Sequence, residues 1–117
     1  MLPYKRSKRV GDQLRREVAD IIMHRLKDPR IGFLTVTSVD VTDDLRNARV
    51  YISVLKKEET DQVLGALNSA RGFVRAEIKK RLKMKIIPRF DFFEDPSLDY
   101  GEKIDKLLER IKKDEGS

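Results

Sequence analysis

Along the first quarter of the chain, Val10, Leu14, Val18, Ile21, Ile22 and Leu26 recur three or four residues apart and share one face. This spacing predicts a helix from about Ser7 to Lys27, with Ser7 as its N-cap. Asp28-Pro29 ends it, because a residue before proline is driven out of the helical region. From Ile31 the period drops to two. Leu34, Val36, Ser38 and Asp40 alternate with Phe33, Thr35, Thr37, Val39 and Val41, the pattern of a β-strand. Thr42-Asp43-Asp44-Leu45 supplies turn residues. A second strand follows, with Ala48, Val50, Ile52 and Val54 on one face and Arg49, Tyr51 and Ser53 on the other. So short a connection implies an antiparallel hairpin.

Helical spacing returns after the polar link at residues 56–59, with Thr60 as the expected N-cap. Val63, Leu64 and Leu67 precede Ser69-Ala70-Arg71-Gly72, and Val74, Ile78 and Leu82 come after it. Glycine costs about 1 kcal/mol relative to alanine inside a helix, so Ala70 and Gly72 mark a predicted bend. Residues 84–94 then read as a third strand through Ile86, Ile87, Phe90, Phe92 and Phe93, with Pro88 confining it to an edge or a bulge. A last amphipathic helix is expected from Asp99 to Lys113, with Ile104, Leu107, Leu108 and Ile111 on one side and an Asp99/Glu102 capping box.

The expected organisation is a basic flexible arm over residues 1–7, one domain over 8–96, and a C-terminal helix with a frayed tail over 97–117. The order α-β-β-α(kink)α-β plus a final helix predicts an α+β fold, a three-stranded sheet with helices on one face. It is the order of the type II KH fold. A KH module clamps about four nucleotides over a GxxG loop between its middle helices. Ser69-Ala70-Arg71-Gly72 stands there instead, so a conventional single-strand clamp is not expected.

Charge narrows the choice of partner. Charged residues make up 39% of the chain, the net charge is +6 and the sequence pI is near 9.7, which favours a polyanionic partner. The distribution is uneven: between Arg71 and Arg89 eight basic residues face a single acid, Glu77. Arg71, Arg75, Lys79 and Lys83 follow at four-residue spacing and predict a ridge of phosphate contacts, with Lys80 beside it. Lys8 with Arg15, and Arg9 with Arg16, are two turns apart and predict a second basic patch. The alternative for both is solvated surface charge.

Other chemistries are poorly supplied. The chain has no cysteine, which removes disulfides and thiolate chemistry. No leader-like apolar run follows the basic N-terminus, and no apolar stretch approaches the roughly 20 residues that span a bilayer. A cytoplasmic protein without a membrane partner is expected. His24, the sole histidine, has no evident catalytic companion. Asp40, Asp43 and Asp44 have the chemistry to hold Mg²⁺ for a nuclease, but they fit turn formation better. No catalytic residue, metal or cofactor is expected. The apolar side of the last helix could also serve a protein partner.

From about Arg6 to Leu108 the sequence resembles the bacterial ribosome-binding factor A family. The resembling pieces are Lys8-Arg9-Val10, Asp28-Pro29-Arg30 and, most specifically, the hairpin from Val39 through Thr42-Asp43-Asp44-Leu45 to Ala48-Arg49-Val50-Tyr51-Ile52-Ser53. Ala70-Arg71-Gly72-Phe73-Val74-Arg75 and Ile87-Pro88-Arg89-Phe90-Asp91-Phe92-Phe93 complete the match. With no catalytic constellation in the sequence, a non-catalytic monomer is expected, and the resemblance implies a KH-like single domain. It would bind the small ribosomal subunit and its rRNA during late maturation, with roles in rRNA processing and cold adaptation.

Overall fold

The computed structural model describes residues 5–96. The stripe of Leu14, Val18, Ile21 and Ile22 winds into α1 (Arg6–His24) and is fully engaged in the core. Ser7 is not its cap. Lys5 holds that position, and the Ser7 hydroxyl instead lies 3.4 Å from Asp43 Oδ1. The helix stops three residues short of Lys27 because the Leu26 N–H turns back to the Ile21 carbonyl at 2.9 Å. Asp28 then fixes the exit by accepting the Arg30 backbone N–H at 2.9 Å.

β1 (Leu34–Val41) and β2 (Asn47–Val54) pair antiparallel. β2 alternates without fault, burying Ala48, Val50, Ile52 and Val54. β1 does not. Its register shifts between Val36 and Ser38, so Val36 and Val39, three residues apart, both reach the core. A bulge adds one residue to one strand and resets its alternation. Here Thr37 is the added residue, and its hydroxyl donates to the Tyr51 carbonyl at 3.2 Å.

A single 3₁₀ turn (Lys57–Glu59) leads into α2 (Thr60–Ser69), followed by α3 (Arg71–Arg81). Thr60 is thus the first residue of α2 rather than its cap, and its hydroxyl donates to the Lys57 carbonyl at 2.8 Å. The helices break at Ala70 (φ −93°, ψ 6°), whose N–H is shared between the Ala66 and Leu67 carbonyls. Gly72 lies inside the first turn of α3, where a Cβ would meet no other heavy atom within 4 Å.

β3 is short, Arg89–Glu94, and does not begin at Met84. Pro88 has no N–H to give a ladder, so pairing starts at Arg89, whose N–H reaches the Arg46 carbonyl at 2.8 Å. β3 runs parallel to β2, which makes the order β1-β2-β3 with β2 in the centre. The α2–α3 pair forms the crossover that a parallel connection requires. α1 packs on β1, while α2 and α3 pack on β3, leaving the three helices on one face of the sheet. Asn68 seals the outer edge of β3. Its side-chain amide donates to the Phe92 carbonyl at 3.3 Å and accepts the Phe92 N–H at 3.0 Å, taking the place of a neighbouring strand.

The expected helix at Asp99–Lys113 and the first four residues of the arm lie outside the described residues. Among the described residues, no helix is long and apolar enough to cross a membrane.

Candidate nucleic-acid interface

α3 turns Val74, Glu77 and Ile78 inward. At 100° per residue this sends Arg71, Arg75 and Lys79 to the flank beside β3, and Lys80 to the other flank. Arg71 Nη1 meets Asp91 Oδ1 at 2.5 Å, and Arg75 Nη2 donates to the Ile87 carbonyl at 3.2 Å. Both guanidinium groups are therefore anchored to β3 and the loop before it. Lys79, one turn on, is exposed and has no acid within ion-pair distance among the described residues. Lys80 instead lies 3.5 Å from Glu77, a buried carboxylate that Arg25 of the α1 exit also approaches at 3.6 Å. Lys83 lies past the helix end, since Leu82 is already extended, so four-residue spacing no longer relates it to the ridge.

Arg81 belongs to the fold. It bridges Glu17 at 3.1 Å and Asp20 at 2.6 Å on α1. The Arg81 hydrogen bond, followed by that of His24, lowers the pKa of Asp20 below its ordinary 3.8. Asp20 and then Glu17 raise that of Arg81 in return.

On α1, Lys8 and Arg15 line a groove of about 330 Å³ against β1, with Lys5 and Asp12 beside them and Asp40 and Asp43 opposite. These carboxylates offset the cations, so the groove is a weaker attractor for phosphate than the α3 flank. Arg9 and Arg16 occupy the exposed crest of the helix. The structure thus gathers Arg71, Arg75 and Lys79 and separates Lys80 and Lys83 from them. The α1 cations lie across the seam that Arg81 closes.

Asp44, a conceivable cation ligand by its chemistry, spends Oδ1 on the turn. It accepts the Thr42 hydroxyl at 2.6 Å and the Arg46 N–H at 3.0 Å, and these two bonds, the hydroxyl first, lower its pKa. Among the described residues, no group of three acidic or histidine side chains is placed to hold a metal ion.

Arg89 is an addition that helical spacing could not suggest. It comes within 3.5 Å of Asp91, so one carboxylate is shared by two arginines, Arg71 and Arg89, and the edge of β3 keeps a positive excess.

The profile of the ribosome-binding factor A family matches residues 6–108. The chain belongs to this family. Within it, the ribosome-binding factor A of Thermodesulfovibrio yellowstonii is 58% identical over 113 residues, covering 97% of this chain and 96% of its own. Among solved structures, a putative ribosome-binding factor A of Thermotoga maritima superposes with a TM-score of 0.72 at 33% identity, over 81% of this chain and 92% of that one. A homology model of the Thermus thermophilus ribosome-binding factor A, fitted into a cryo-EM map of a 30S complex with that factor, gives a TM-score of 0.61 at 34% identity. It covers 71% of this chain and 88% of its own. The family's KH-like fold is the one described here, with the Ala70 break standing where a GxxG loop would lie.

Proposed function

We propose that this protein is a non-catalytic assembly factor that binds the small ribosomal subunit, with rRNA phosphates held along the α3 flank. Family membership carries the reading, supported by the relative fitted into a 30S complex. The chemistry of the flank agrees with it. Arg71 and Arg75 are held in place by β3-side partners, and Lys79 offers an ammonium one turn on with no acid beside it among the described residues. Preformed cations lose less freedom on meeting a phosphate backbone than untethered ones do. Lys8, Arg9, Arg15 and Arg16 form a second, weaker contact, while Lys80 and Lys83 reach RNA only at its margin. The factor acts as a single copy.

The test is reversal of two flank charges, Arg75→Glu with Lys79→Glu, followed by sedimentation with purified small subunits over a salt series. The expected result is binding weakened by about tenfold or more while the domain stays folded, its thermal melt lowered only by the loss of the Arg75–Ile87 hydrogen bond. The salt slope should fall by about 1 for each phosphate that the variant no longer neutralises. Undiminished binding to small subunits would remove the α3 flank from the interface. Equal retention on small and large subunits would reduce the protein to a general polyanion binder.

A further inference from the structure

Among the described residues, the sheet face opposite the helices is covered by no other element. Register places Ser38, Tyr51 and Phe93 side by side across β1, β2 and β3 on this open face. The Tyr51 and Phe93 rings stand 6.0 Å apart, tilted at 36°, and Phe93 is 44% exposed. One step nearer the end of the sheet, Thr35 and Ser53 face each other. Arg49 flanks the rings on the other side, in register with Asp40 of β1 and Asp91 of β3.

A cross-strand aromatic pair stabilises a sheet wherever it lies, and that alone would account for Tyr51 and Phe93. It does not account for the rest of the face. Hydroxyls and a guanidinium lie beside the rings, and the carboxylates of Asp40 and Asp91 bracket the guanidinium, so the face can stack on flat groups and both donate to and accept from their edges. Aromatic rings at the border of a cationic flank are the combination by which single strands are held.

The face also continues into the α3 flank. Asp91 is adjacent to Phe93's row in β3 and is held by Arg71 at 2.5 Å, so the rings and the phosphate contacts meet at the β3 edge. A strand with its backbone along Arg71, Arg75 and Lys79 can turn its bases around that edge.

We propose that the open face binds unstacked bases of single-stranded RNA, with Tyr51 and Phe93 as the stacking platform and Arg49 at its rim. The inference rests on the RNA-binding reading above and extends it. It gives this KH-like chain a means of holding single strands that does not need the missing GxxG loop. Stacking is sequence-tolerant and carries little counterion release, so this contribution persists at salt concentrations that erase phosphate contacts.

The experiment uses the full chain with Tyr51→Leu and Phe93→Leu together, substitutions that keep apolar bulk and remove the π faces. Affinity for a single-stranded oligoadenylate of about a dozen nucleotides is measured at low and high salt, alongside the Arg75→Glu/Lys79→Glu protein. Thermal melts of both variants show whether each is folded, and Phe93→Leu alone serves if the double variant is not. The expected result is an affinity about tenfold weaker for the leucine variant at high salt, with its salt slope unchanged. The charge-reversed variant weakens mainly at low salt. A folded leucine variant that binds the oligonucleotide as the parent does overturns the proposal, even if the charge-reversed variant fails and the phosphate reading stands. The same holds if the leucine variant keeps full small-subunit binding and the oligonucleotide does not compete, which would take the open face out of the interface. Weakening in the leucine variant alone supports the platform and removes the α3 flank.

Discussion

Leu45 sits in the hairpin turn at φ 62°, the only non-glycine residue with positive φ among those described, and its side chain is buried. A left-handed conformation costs an L-residue about 1–2 kcal/mol, whereas burying leucine returns about 1.5–3 kcal/mol, so packing prevails. Asp44 holds the strained backbone from one side through its bonds to Thr42 and Arg46. This opposition reverses a usual ranking. Leu45→Ala loses the burial and keeps the strain, a destabilisation of about 2–3 kcal/mol. Leu45→Gly loses the same burial but releases the strain, and should be about 1 kcal/mol less harmful by denaturant unfolding. The turn residues are legible in the sequence as a turn. That an apolar side chain would take the strained position is not, because only its burial repays it.

Gly11 and Gly65 give helices α1 and α2 opposite responses to one substitution. A Cβ on Gly11 would lie 2.5 Å from the Val39 carbonyl oxygen, a backbone atom of β1 that cannot rotate away. Overpacking of about 1–3 kcal/mol then outweighs the gain of about 1 kcal/mol in helix propensity, and Gly11→Ala should lower stability by about 1–2 kcal/mol. Gly65 has nothing within 4 Å, so Gly65→Ala should raise stability by about 0.5–1 kcal/mol in the same denaturant titration. The contrast shows what patterning can and cannot convey. α1, β2 and the helix pair follow directly from apolar spacing, since each buries a single regular face. The bulge at Thr37 escapes, because a run such as Val36-Thr37-Ser38-Val39 is compatible with either register until Val50 and Ile52 choose one. Likewise, Arg81 and Lys79 look equivalent in a basic run, and only the approach of Glu17 and Asp20 distinguishes the structural cation from the one left to solvent.

For the molecule as a whole, the α1–α3 seam is an electrostatic closure as well as an apolar one. Folding lowers the pKa of Asp20, through Arg81 first and His24 second, and that of Asp28 through Arg30. A carboxyl depressed by folding stabilises the native state in full above its unfolded value near 3.8, and that contribution fades as pH falls through the lower folded value. Stability should therefore decline as pH drops below about 4, and Asp20→Asn should flatten this acid limb in melts recorded over a pH series. Asp28 and Asp44, shifted in the same direction, keep part of the slope in that variant. The seam also shapes the candidate site. By consuming Arg81, it leaves the β3 side of α3 as the flank where cations gather, which the linear charge count could not reveal.

The parallel pairing of β2 with β3 has a bearing on how the chain is made. β2 is the middle strand, yet one of its neighbours arrives some forty residues later, across two helices. While the polypeptide is still being synthesised, α1 and the hairpin can associate early, but Ala48 and Val50 remain without Phe90 and Phe92 beside them. Closure waits for residue 94. Contacts so distant along the chain form slowly, and a nascent protein in that interval presents an unpaired strand edge. A factor that attends ribosomes would thus complete its own sheet only once β3 has left the ribosome that translates it.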